Sequence, residues 1–165
     1  VAVTPTTSFS DNNVPFTLST GDGTKTVYAW YKDAPGNVSS PASDTIILDQ
    51  TAPAAVTDLT FSNVAYTSLD LKWTAPGDDG TSGQAISYEV RTSTSSITLS
   101  SWNTATPVTG LPTPKPAGGK ETFTVSGLTA KTTYYFALRT LDEVGNISSL
   151  SNVRKATTKA QPPSK

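Results

Sequence analysis

The chain has 165 residues and a formal net charge of −1, with 15% charged and 35% hydrophobic residues. That balance offers no electrostatic footing for nucleic acid or an anionic membrane surface. Cys, Met and His are absent, which excludes disulfides, thiolate chemistry and Cys- or His-ligated metal and removes the commonest general base.

No run approaches the roughly 20 apolar residues of a membrane-spanning helix, so membrane insertion is not expected. No signal peptide is seen, and the missing initiator Met is expected of a processed or cut chain. Ser and Thr fill about three positions in ten, mostly as alternate residues of strand-like runs. Thr suits a pleated, half-exposed surface, so this is β composition rather than disorder. Low charge, abundant Ser and Thr and no thiols are expected of an exported protein, extracellular or on a cell surface.

No segment carries a 3.6-residue apolar period. Short strands separated by Gly, Pro, Asn and Asp predict an all-β chain of antiparallel sandwiches in tandem. In the first part, residues 1–50, Phe16 and Leu18 alternate with polar residues and predict a strand over 14–19, and another is possible near 1–4. Gly21-Asp22-Gly23 is a tight turn. The strand predicted over 25–33 carries Val27, Ala29 and Tyr31 on one face and Thr26, Tyr28, Trp30 and Lys32 on the other. A last strand over 44–49 places Ile46 and Leu48 together. Gln50-Thr51-Ala52-Pro53 marks the boundary, because Pro cannot continue a central strand.

The second part, 51–158, opens with Val56, Leu59 and Phe61 and continues with Leu69, Leu71 and Trp73. A Gly- and Asp-rich loop over 75–85 leads to Ile86, Tyr88 and Val90, the predicted inner face of a third strand. Residues 97–102 predict a short edge strand, and 106–120, with four prolines, a long loop or edge crossing. Strands are then predicted at Phe123 and Val125, at Tyr134, Phe136 and Leu138, and over 153–157. About seven strands make a complete sandwich. Residues 159–165, with Pro162-Pro163, read as a linker.

One hairpin occurs twice. Gly36-Asn37-Val38-Ser39-Ser40 recurs as Gly145-Asn146-Ile147-Ser148-Ser149, with an Asp three residues before each Gly, Asp33 and Asp142. The chain therefore reads as one complete β-module preceded by the C-terminal part of another.

Particular motifs carry a resemblance. Leu69-Asp70-Leu71-Lys72-Trp73, Ser87-Tyr88-Glu89-Val90-Arg91 and Leu128-Thr129-Ala130-Lys131-Thr132-Thr133-Tyr134 resemble those of a fibronectin type III domain. The resemblance implies structural roles for Trp73, Tyr88 and Leu128. It also implies a tyrosine corner in which the Tyr134 hydroxyl bonds back to the backbone. Ala130 stands where the family often has Pro. The first part is similar to the C-terminal portion of a bacterial immunoglobulin-like repeat, through Gly21-Asp22-Gly23-Thr24-Lys25-Thr26-Val27-Tyr28, the hairpin, and Asp44-Thr45-Ile46-Ile47-Leu48-Asp49. Such repeats stand in tandem in bacterial surface and secreted proteins, and the fold names no ligand.

A partial module poses an energetic problem. Burial of Phe16, Leu18, Val27, Tyr31, Ile46 and Leu48 would be worth about 10–15 kcal/mol in all, at roughly 1.5–3 kcal/mol each. That matches the net stability of a whole domain. The face is expected to be covered by strands preceding it in a longer chain, by a neighbouring subunit's strand, or by the adjacent module.

The candidate sites are few. Asp78 and Asp79 lie in the loop after the Trp73 strand, and Asp142 and Glu143 after the Tyr134 strand. In this sandwich those loops share one end, which the chain carrying Asp49 is expected to reach. Five carboxylates there would suit calcium; the competing account is turn chemistry. No other cofactor is expected. Asn37 and Asn146 both lie in N-x-Ser sequons, again against a turn role. Tyr28 and Trp30 form an outward aromatic pair that would suit a carbohydrate, a fibre contact or simple cross-strand packing.

No catalytic site is evident. The leading expectation is a non-catalytic structural or adhesive repeat of an extracellular bacterial surface fibre, with neighbouring sandwich modules or like subunits as partners. The alternatives are a self-assembling filament subunit and an accessory spacer or binding module of a secreted polysaccharide-degrading enzyme.

Overall fold

The computed structural model describes residues 15–163. The chain divides into two compact units, Val1–Gln50 and Thr51–Lys165. In the first unit, β1 (Gly23–Ala29) and β2 (Ala42–Leu48) form a two-stranded antiparallel sheet. The register pairs Lys25 with Ile46 and Val27 with Asp44, which sets Val27, Ile46 and Leu48 on one face. The strand predicted over 25–33 stops at Ala29, and beyond it only an isolated bridge joins Lys32 to Val38. Residues 15–19 are not a strand: among the described residues β1 and β2 pair only with each other, so the Phe16–Leu18 alternation has no ladder to join. The possible strand at 1–4 lies outside the described residues. Phe16 is 52% and Ile46 54% exposed, and Leu18, Val27 and Leu48 are half-buried.

The second unit is a seven-stranded antiparallel sandwich. β3 (Thr60–Ser62), β4 (Ser68–Thr74) and β7 (Lys120–Ser126) form one sheet in the order β3-β4-β7. β5 (Ser87–Ser93), β6 (Thr106–Val108), β8 (Thr133–Leu141) and β9 (Arg154–Thr157) form the other, in the order β6-β5-β8-β9. The period-2 alternation of β4 buries Leu69, Leu71 and Trp73, and that of β5 buries Tyr88 and Val90. With Leu59, Val125, Phe136 and Leu138 these form one core cluster. Each such side chain contributes about 1.5–3 kcal/mol by leaving water. The Trp73 and Tyr88 rings meet edge to face, centroids 5.1 Å apart.

Two expectations are corrected here. Ile86 lies just outside β5 and is exposed, not inner. Residues 97–102 are not an edge strand; that place belongs to β6, which pairs with β5. The Thr98 hydroxyl bonds to those of Ser100 and Ser101, and the Thr98 and Ser101 hydroxyls also bond the neighbouring backbone. Such local bonds draw a chain away from an extended ladder. The segment instead coils into a short 3-10 turn, Trp102–Thr104. Ile97, Trp102 and Ala105 pack with Ala137 in a second small cluster. Arg91 and Arg139 lie 5.3 and 4.7 Å from the Trp102 ring centre.

Candidate functional site

The repeated hairpin is built in the same way in both units. Asp33 Oδ1 accepts from the Gly36 and Asn37 N–H groups at 2.9 and 2.7 Å. Asp142 Oδ1 accepts from Val144 and Asn146 at 3.1 and 2.7 Å. Gly36 and Gly145 sit at φ of 104° and 93°, a region that side-chain-bearing residues avoid. Downstream, Ser39 Oγ accepts from Tyr31 N–H at 3.0 Å and donates to the Ser40 carbonyl. Ser148 Oγ does the same between Thr140 N–H, at 2.9 Å, and Ser149. The recurring Asp, Gly, Asn and Ser are therefore the parts of a turn whose serine hydroxyl stands in for a ladder carbonyl. Asn37 and Asn146, the two sequon residues, are both used in it. The Asn37 side chain donates to Asp33 Oδ2 at 2.8 Å, and this bond leads those holding the Asp33 carboxyl below the ordinary range.

Besides the first amide taken, that of Gly36 in one copy and of Val144 in the other, the copies differ at the second carboxylate oxygen. Asp33 is exposed, and its second oxygen is taken by Asn37. Asp142 is only 3% exposed, and its Oδ2 has no hydrogen-bond partner.

Asp142 belongs to an acidic end of the sandwich. The 77–82 loop between β4 and β5 folds back on itself, with Gly77 N–H donating to the Gly80 carbonyl and Asp78 N–H to that of Ser82. A Cβ at Gly77 would lie 1.9 Å from the Ser82 carbonyl oxygen, so only glycine fits. Gly80 is tied to the incoming backbone through Ala52 and Ala54. Asp78 Oδ1 is buried and has no partner. Burial, then the charge and side-chain contact of Glu143, then Asp142 and Asp79, push the Asp78 carboxyl up to about 6. Four of the five acids considered from the sequence thus share one electrostatic neighbourhood. Asp49 follows β2 in the first unit.

Tyr28 and Trp30 are 45% and 38% exposed, their rings stacked with centroids 6.0 Å apart and planes 30° from parallel. Tyr134 Oη accepts from the Thr129 N–H at 3.0 Å, five residues upstream, and Leu128 is buried in the core. The shallow groove between β6 and β7, lined by residues such as Thr92, Thr106, Phe123 and Tyr134, presents no carboxylate.

Sequence reasoning missed Glu121, which alternation alone places inward, opposite Trp73. It is buried, accepts from Lys115 N–H at 2.7 Å and from the Tyr88 hydroxyl at 3.4 Å, and lies 3.5 Å from Lys115 Nζ. Burial, with the Glu121 charge beside it, holds the Tyr88 phenol above its ordinary range. Asn152 was also missed: its amide pairs with both the N–H and the carbonyl of Leu59, imitating a strand neighbour. No local pattern marks it.

Residues 54–157 match the family profile of the fibronectin type III domain. The chain belongs to the fibronectin type III family. Among similar proteins, chitinase A1 of Niallia circulans is 34% identical over 79% of this chain and 17% of its own length. Exoglucanase B of Cellulomonas fimi is 30% identical over 97% of this chain and 13% of its own length. The chain thus spans about a sixth or less of these relatives. The crystal structure of a run of domains from titin superposes with a TM-score of 0.50 at 24% identity, covering 72% of this chain and 37% of that one, and shows the same fold.

Proposed function

We propose that this chain is a non-catalytic accessory segment of an extracellular polysaccharide-degrading enzyme. In this reading the fibronectin type III domain is a spacer, and the preceding unit is the C-terminal part of an immunoglobulin-like repeat. The observation that carries it is the likeness, over most of this chain, to a small part of a chitinase and of an exoglucanase. Catalysis in enzymes of that kind needs a carboxylate pair flanking a bound sugar. Here the acids singled out, Asp78, Asp79, Asp142 and Glu143, lie in loops at one end of the sandwich, and the groove along its side holds no carboxylate. The relatives favour this role over the surface-fibre repeat.

The complete coding sequence around this segment tests the reading. A glycoside-hydrolase domain in the same polypeptide is expected, and a polypeptide without one would sink it. Within the same reading, Tyr28 and Trp30 form a stacking surface for sugar rings. Insoluble chitin or cellulose is expected to deplete the protein from solution, and Trp30→Ala to abolish depletion. Equal depletion of wild type and variant would remove the aromatic pair from the account.

A second reading, completion of the first unit by a neighbouring chain, is favoured by the exposure of Phe16 and Ile46. Sedimentation equilibrium decides it: self-association is expected, and a monomer at all concentrations excludes it.

A further inference from the structure

The two sheets of the sandwich stay apart along one side. β6, three residues long, is the edge of one sheet, and β7, paired only with β4, is the edge of the other. Between them runs the open groove, about 530 Å³ in volume, a size that ligand clefts commonly have. No charged residue lines it, and half of the lining residues are Ser or Thr. Thr94, Thr106, Thr109 and Ser126 are exposed there, and among the described residues their hydroxyls bond no protein group. Phe123 and Tyr134 are half-buried: their rings pack on the core and also line the groove. The Thr129 N–H bonds the Tyr134 hydroxyl and so fixes that ring in place.

That lining discriminates between ligands. Without charge it offers no ion-pair partner to a phosphate, carboxylate or ammonium group. A wholly apolar guest would cover its hydroxyls and leave them unpaired. A neutral hexopyranose matches both parts: its C–H face lies on an aromatic ring, and the hydroxyls around it exchange hydrogen bonds with Ser and Thr. An added β-strand is the other guest that open edges invite. Pro107 at the centre of β6 has no N–H to donate, so an added strand would find a full ladder on the β7 bank alone.

We propose that the groove between β6 and β7 of the fibronectin type III domain binds one chain of a neutral polysaccharide. Phe123 and Tyr134 are its stacking platform, and Thr94, Thr106, Thr109 and Ser126 its hydrogen-bonding rim. The domain is then a binding module as well as a spacer. The choice of a cellulose- or chitin-type chain rests on the accessory role proposed above; the demand for a neutral, hydroxylated ligand comes from the groove itself. A concave groove admits a single chain freed from its solid, and the packed surface of an insoluble polymer is left to Tyr28 and Trp30.

NMR titration of the full chain with soluble cellohexaose and, separately, chitohexaose tests the proposal. Saturable shifts of β6 and β7 amides are expected with at least one hexamer, and the arm that responds identifies the sugar. The double variant Thr106→Val, Ser126→Ala removes one exposed hydroxyl from each bank. It is expected to keep the melting midpoint and to bind about tenfold more weakly. Trp30→Ala is expected to bind the soluble hexamers as the wild type does. No saturable shift in β6 or β7 with either hexamer would overturn the proposal, as would undiminished binding by the double variant. Shifts confined to the surroundings of Tyr28 and Trp30 would overturn it and leave the accessory role standing. Shifts of β6 and β7 that follow protein concentration instead of sugar would give the groove to a second copy and overturn it as well.

Discussion

Tyr134 is half-buried, and its hydroxyl accepts the Thr129 N–H at the turn leading into β8. Tyr134→Phe keeps the ring and removes the acceptor, so a loss of about 0.5–1.5 kcal/mol is expected, read as a lower urea midpoint with unchanged slope. An unchanged midpoint would show that water replaces the hydroxyl there at no cost. Asp58 is governed by charge. Burial works against its ionised form, but hydrogen bonds from Thr74 Oγ1 and N–H, with Lys120 Nζ 3.8 Å away, outweigh it and hold the carboxyl below 3.8. A carboxyl depressed in the folded state contributes stability above its unfolded value, and that contribution is lost as pH falls through the folded value. Asp58→Asn is therefore expected to destabilise at pH 5 and to narrow the difference between urea midpoints at pH 5 and pH 3. Parallel curves for wild type and variant would contradict this. Trp73 and Tyr88 were legible as core residues from apolar alternation, a local signal, and Leu128 and Tyr134 as corner residues through the resemblance to fibronectin type III motifs. Glu121 was not, since a charge on the inner face of a strand makes sense only once Lys115 and Tyr88 are known to meet it.

Among the elements, the stretch after β8 depends on serine hydroxyls. Ser148 Oγ accepts from Thr140 N–H and Ser151 Oγ from Leu138 N–H, both at 2.9 Å and buried. These bonds satisfy β8 amides beyond the four residue pairs that β9 makes with it. Replacing either serine by Ala strands a buried N–H, and about 1–3 kcal/mol of destabilisation is expected for each. Thermal melts check it; a loss below the error of the fit would mean that the backbone rearranges to a carbonyl. The 97–105 excursion is held by packing, with Trp102 buried beside Arg91 and Arg139. Trp102→Ala is expected to cost about 3–5 kcal/mol, whereas a surface edge strand would lose far less. The Ser and Thr residues of this segment resemble a strand in composition. Their hydroxyls had nearer partners in their own backbone, and that competition cannot be seen from alternation.

At the scale of the whole molecule, the two units differ in what they bury. The second has a continuous core between two sheets; the described part of the first has one two-stranded sheet with Phe16 and Ile46 open to water. Opening free energies follow buried contact. Amide hydrogen exchange on the full chain is expected to show β4, β5, β7 and β8 protected at the level of global unfolding, and β1 and β2 exchanging many-fold faster. Equal protection would mean that the face of the first unit is covered in solution. The sequence by itself determined the all-β class, six of the seven strands of the second unit, the family and the duplicated hairpin. All of these rest on short-range signals: a period of two, turn residues, and fixed spacings within a strand or loop. Only the tertiary structure decided that Asp78 and Glu143 meet, that Asp142 is buried with one oxygen open while Asp33 is not, and that Glu121 finds its partners in Lys115 and Tyr88. Those facts depend on which distant loops the sheet pairing brings to one end, and on how much water the assembled fold excludes there.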